Sequence, residues 1–233
     1  FCLEGPAPFV INGQQVATVG VNSFAPNPSV GLGIGARGDN AFFFDGAVDE
    51  AAIYAEALPA ERILAHYNNA MDDARAVPYE EEVLSDTPIA YYRLNEAAPE
   101  PAENLGSLGA AGNGIFSGQP TLGQTGALLD DPDTAAGFSG ASQKVDVPYA
   151  AGLNNANAFS FEFWAKVLGG AGNYRSPLTS RDDGPQRGYI IYAGAENTWQ
   201  FWSGNGAGWD NLAGPAVVEG EWAHLVGTYD GRY

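Results

Sequence analysis

Cysteine, histidine and positive charge are scarce in this chain of 233 residues. The single cysteine, Cys2, cannot form an internal disulfide, and one thiolate cannot build a metal cage. A catalytic cysteine needs a partnering histidine, and the only histidines are His66 and His224. Cys2 therefore reads as a small apolar strand residue. Lysine and arginine together number 10 against 28 aspartates and glutamates, a formal net charge of −18. Such a chain repels a phosphate backbone and an anionic lipid surface, which sets aside nucleic-acid and membrane-surface binding. Surplus acidity suits solubility in salty water or the capture of divalent cations, and the first reading is the simpler. No apolar run approaches the roughly 18 residues that cross a bilayer, so no transmembrane helix is expected. The sequence starts at Phe1 with neither Met nor a secretion leader, and reads as a processed or excised piece of something longer.

What is abundant is turn-forming and apolar: Gly 31, Pro 15 and 45% hydrophobic residues, enough for a core and many tight turns. Residues 8–19, PFVINGQQVATV, read as a hairpin closed by Asn12-Gly13, a dipeptide that tolerates positive φ. VGLGIGARG at 30–38 alternates Val30, Leu32 and Ile34 with glycines. AFFFDGAVDEAAIYAEAL follows as strand, Asp45-Gly46 turn and strand. Over 58–71 the pattern turns helical: Pro59 suits a first turn, Glu61 favours the positive end of the dipole, and Ile63, Leu64 and Tyr67 share a face. The acidic DDARAVPYEEEVLSD at 72–86 reads as a linker. Beyond it, a strand over 89–94 leads into a long Gly/Ala/Asn/Pro loop, and another is expected near 143–148. AFSFEFWAKVL holds the cleanest alternation. Phe159, Phe161, Phe163, Ala165 and Val167 point one way; Ser160, Glu162, Trp164 and Lys166 point the other. GYIIYA, TWQFWSG and EWAHLVGTYDG supply three more strands. The expected fold is an all-β, antiparallel β-sandwich with one short helix.

GAVDEAAIYAEALPAERILAHY at 46–67 resembles the closing signature of laminin-G-like, concanavalin-A-like lectin/glucanase jelly rolls. In that family a Gly-x-Val/Ile-Asp-Glu strand precedes an aromatic residue and a short helix. PIAYYRLNEA at 88–97 resembles the family's opening strand, and AAGFSGASQKVDVP, AFSFEFWAKV and GEWAHLVGTYDG resemble its middle strands. FVINGQQVA resembles the strand after the last of these. The order is permuted: the family would run 88–233 and then 1–71. No segment duplicates another. Residues 1–71 are thus expected to be the C-terminal portion of one jelly roll and 87–233 its N-terminal portion, with 72–86 between them.

Two closures follow from that order. Either the chain folds alone as a circular permutant, or each leading portion completes a neighbouring copy, head to tail. The sequence is read toward the second: a structural, adhesive module, secreted and displayed at the cell surface, whose partners are copies of itself in a filament or tandem array. Phe9, Val10, Ile11, Trp222, Leu225, Val226 and Tyr229 would then be the self-assembly residues. The alternative is a carbohydrate-binding, lectin-like module of a secreted bacterial protein, with polysaccharide as partner.

Trp199, Phe201 and Ser203 share one strand face, and Gln200 and Trp202 the other. Sugar rings stack on aromatic faces, so Trp202, Trp209, Asp210 and Asn211 are the candidate saccharide contacts, with core or inter-module packing as the competing reading. Asp130, Asp131 and Asp133 crowd one turn. Hard oxygen donors at that density suit Ca²⁺, although no EF-hand spacing is present, and a solvated acidic turn is the simpler reading. Laminin-G-like modules often hold Ca²⁺ at loop edges, which the resemblance carries to this turn. Arg37-Gly38-Asp39 spells an adhesion tripeptide but reads as a turn. Asp49 is expected to anchor its strand by hydrogen bonds. No catalytic residue is assigned. Glucanases related to the family carry paired carboxylates on one strand face, and no Glu-x-Asp-x-x-Glu run occurs here. Glu162 stands alone, and His224 reads as a packed strand histidine.

Overall fold

A computed structural model describes residues 7–19, 23–98 and 101–232. Cys2 lies outside the described residues. Two antiparallel sheets face each other. The first runs β2 (Gln14–Val19), β1 (Ala7–Ile11), β15 (Trp222–Tyr229), β10 (Phe159–Val167), β4 (Asp45–Tyr54), β8 (Thr134–Ser139) and β7 (Thr121–Thr125). The short β5 (Ala90–Tyr92) pairs the far half of β4. The second sheet runs β14 (Trp209–Ala216), β13 (Thr198–Gly204), β12 (Gln186–Ala193), β11 (Arg175–Asp183), β3 (Leu32–Ile34), β9 (Lys144–Val147) and β6 (Ile115–Ser117). This is the antiparallel β-sandwich that the alternating pattern predicts.

The core follows from that alternation. Phe159, Phe161 and Phe163 of β10 point inward and are buried. Phe161 meets Phe201 edge-on at 5.0 Å and Tyr189 face-on at 5.4 Å, joining the two sheets through rings. Phe161 also lies over Gly227 of β15, where an added Cβ would sit 2.1 Å from the ring. Any larger residue at 227 would collide with it.

The front and back of the chain close within one molecule. Asn12 and Gly13 take φ of 50° and 71° and join β1 to β2 in the expected hairpin. On its other edge β1 pairs β15, with Phe9 opposite Gly227, Val10 opposite Val226 and Ile11 opposite Leu225. In the single chain, strands carrying the residues expected to join one copy to the next pair with each other. Phe9, Val10, Ile11, Leu225, Val226 and Tyr229 are buried. Trp222 is half-buried under the Lys166 ammonium, 4.7 Å from its ring.

Three local expectations are revised. The Asp45-Gly46 pair is no turn but the start of the ten-residue β4, where Gly46 lets the backbone pass Lys166: a Cβ would sit 2.1 Å from its carbonyl oxygen. Residues 72–86 are no free linker, because they carry a second helix. α1 (Ala60–Ala70) and α2 (Tyr79–Leu84) pack together on the outer face of the first sheet. Tyr79 and Val83, four residues apart, turn one buried face inward while Glu80, Glu81 and Glu82 occupy the positive end of the helix. One short helix thus becomes two.

Candidate functional site

With α1 and α2 covering the first sheet, the outer face of the second is the open one. On β12 and β13 the pleat sends Tyr189, Ile191, Trp199 and Phe201 into the core. It sends Ile190, Tyr192, Gln200 and Trp202 outward. Trp202 lies opposite Ile190 on one side and Asn211 on the other, and its indole Nε1–H donates to Gln200 Oε1 at 2.9 Å. Tyr174 and Tyr192 stand edge-on to Trp202 at 6.2 and 5.9 Å, and Phe42 stands edge-on to both tyrosines at 5.8 Å. Two guanidinium groups close the walls: Arg37 lies over Phe42 at 4.3 Å, and Arg181 over Trp209 at 5.2 Å. The result is a groove of about 240 Å³ with an aromatic floor and cationic sides.

Each cation is matched. Arg37 grips Asp39 with two bonds of 2.7 and 2.5 Å, and Arg181 pairs with Asp183. Arg37 holds the Asp39 carboxyl below its ordinary range, while burial and then the charge of Arg37 push Arg181 down. Both aspartates stay about half exposed, at 53% and 54%, so their outer lone pairs face solvent. The Arg37-Gly38-Asp39 tripeptide is a closed turn whose two charged ends clasp each other.

Of the expected saccharide contacts, Trp202 and Trp209 meet in this groove. Asp210 instead accepts a bond from Asn205 Nδ2 at 3.2 Å, and Asn211 is exposed beside Trp202 without lining the groove. Trp199 faces the core. The sequence reading missed Arg37, Phe42, Tyr174, Arg181, Asp183 and Tyr192. Tyr192 was within reach, since it alternates outward with Ile190. Arg37 and Phe42 sit on a turn far along the chain, and only the topology brings them here.

The acidic turn divides. Asp130 is exposed; Asp131 pairs with Arg75 at 2.8 Å and accepts the Asp133 amide at 2.9 Å. Only Asp133 turns inward, where one oxygen each of Asp49, Glu50 and Asp133 lie within 4.8 Å of one another. Arg93 reaches Glu50 at 3.0 Å and Asp133 at 2.9 Å. Burial pushes the Asp49 and Glu50 carboxyls well above the usual range. Asp49 Oδ2 accepts the Ala127 amide at 2.8 Å, anchoring the strand, while its buried Oδ1 finds no hydrogen-bond partner among the described residues. The Arg93 guanidinium already balances this set, and a Ca²⁺ ion would have to displace it from Glu50 and Asp133; of the expected metal residues only Asp133 belongs to the set.

Glu162 does not reach the groove at all. It lies fully buried beneath α1, between His66 Nδ1 at 2.9 Å and His224 Nε2 at 3.2 Å, and accepts the Tyr54 hydroxyl.

Residues 139–232 match the family model Laminin_G_3, described as the concanavalin A-like lectin/glucanases superfamily. The matched stretch is laminin-G-like. The matched stretch includes Tyr174, Arg181, Trp202 and Trp209 but not Arg37 or Phe42, so the groove is built from both sides of its boundary. No curated protein and no solved structure matches the chain.

Proposed function

We propose that this laminin-G-like domain is a carbohydrate-binding module that works outside the cell, holding a saccharide on the open face of its second sheet without cleaving it. The groove carries this reading: Trp202 offers a ring for the C–H face of a sugar, and the Arg181–Asp183 pair in the groove and the Arg37–Asp39 pair at its edge offer donors and acceptors for its hydroxyls. Binding without catalysis fits the carboxylates at hand. A glycosidase needs a carboxylic acid kept protonated near neutrality, and Asp39 at the groove's edge is driven the other way by Arg37. Adhesion in this reading comes from glycan capture. Within the single chain β1 pairs β15 and β2, which supports closure in one molecule over strand exchange between copies.

The test is calorimetric titration with cello-, xylo-, manno- and malto-oligosaccharides, followed by product analysis. Saturable binding with the sugars recovered intact is expected. Release of shortened sugars would overturn the non-catalytic part, and absence of binding in every series would overturn the whole.

A further inference from the structure

Beside the aromatic groove lies a second hollow of about 260 Å³, lined by Val30, Gly38, Asp39 and Asp182. It shares Arg37, Arg181 and Asp183 with the groove as a common wall. Each hollow alone falls below the roughly 300–1,000 Å³ of a typical ligand pocket, and only the two together enter that range. Their linings differ in kind. The groove has five aromatic rings; the hollow has none and is walled by charge.

We infer that the two hollows are consecutive subsites for a neutral glycan, one sugar stacking on Trp202 and the next reading the Arg37–Asp39 and Arg181–Asp183 pairs through its hydroxyls. This rests on the carbohydrate reading above and narrows it to a ligand class. The charge arrangement selects against acidic sugars. A uronate or sulfate can only accept, so taking a spare arginine N–H would set its charge beside the aspartate already on that arginine, with Asp182 a further negative neighbour. A hydroxyl donates and accepts at once, so one sugar diol can bond to an arginine N–H and an aspartate oxygen and leave the pair intact. The net charge of −18 adds long-range repulsion of anionic polymers.

Calorimetry on the whole chain tests this with neutral mono-, di- and trisaccharides of glucose, xylose, mannose and galactose, beside oligogalacturonates and sulfated carrageenan oligosaccharides. A neutral disaccharide should bind at least roughly tenfold tighter than its monosaccharide, and the acidic series at least roughly tenfold more weakly than the neutral one at low salt. Asp39→Ala, on an exposed turn, should bring the disaccharide-to-monosaccharide ratio close to unity. Asp182→Ala should lower the same ratio independently. Equal affinity for mono- and disaccharide, or preference for uronate or sulfate, would overturn the two-subsite proposal while the carbohydrate reading stood. No binding by any sugar would remove both.

Discussion

The outer faces of the two sheets use the same residue types to opposite ends. On the first, carboxylate, imidazole and phenol are sealed beneath helices. His66 bridges Glu162 at 2.9 Å and Asp86 at 2.8 Å, and Tyr67 stacks on Trp164. On the second, the Asp39 and Asp183 carboxylates stand half open to solvent and the Trp202 and Trp209 indoles partly so, above largely covered guanidinium groups. Where water is excluded, partners must come from the protein, and charge fixes how α1 lies on the sheet. Where water remains, the same groups keep spare donors and acceptors and can exchange them for a ligand. In the proposed reading, one face serves stability and the other recognition.

Glu162→Ala should break that division most severely. It leaves His66 and His224 buried beside each other without their carboxylate, a loss of about 3–5 kcal/mol. Thermal denaturation should show a large fall in Tm, while protein still folded binds sugar as before. Trp202→Ala should do the reverse. Truncating a ring at the centre of a binding face costs about 2 kcal/mol or more, roughly thirtyfold in Kd, with Tm nearly unmoved. Calorimetry and thermal denaturation on the same sample check both halves.

Dependence on pH sharpens the comparison further. Burial opposes the charge on His66, but Glu162 and Asp86 outweigh it and raise it to about 10 from 6.5. Its stabilisation is therefore complete below about pH 6.5 and lost as pH rises through about 10. Burial likewise opposes the charge on Glu162, but His66 and His224 hold it well below its ordinary value. Its contribution is present above about pH 4.5 and lost as pH falls toward the depressed value. Denaturant titrations should show both declines, whereas sugar affinity should stay level between those limits.

The smallest effect is expected at Asp49→Asn in metal-free buffer. Burial raises this carboxyl, so its contribution favours folding below about pH 3.8 and is lost as pH rises. Asn keeps an acceptor for the Ala127 amide, removes the charge, and should stabilise the chain by about 1 kcal/mol at neutral pH. That gain should vanish in acid, as denaturant titrations at the two pH values would show.

Local patterns made much of the fold legible. Asn12-Gly13 announced its hairpin, residues 159–167 alternated without a break, and α1 showed its apolar spacing and Pro59. The second helix stayed hidden because only Tyr79 and Val83 mark its inner face within an acidic run. Half the groove was legible for the same reason as the strands: the pleat alone sends Trp202 outward and Trp199 inward. The other half comes from elsewhere in the chain. Arg37 reaches Tyr192 across 155 residues, and no local pattern encodes that approach. In the acidic turn, spacing could not reveal that Arg75 takes Asp131 while Asp133 joins Asp49 and Glu50.

The most direct measurement is a nuclear magnetic resonance titration of isotope-labelled protein with neutral oligosaccharides, following every indole N–H. Saturable shifts at Trp202 and Trp209, with Trp164 beneath the helices unmoved, are what the division between the two faces predicts. Shifts centred on Trp164 and α1, or no shift at any sugar concentration, would contradict it.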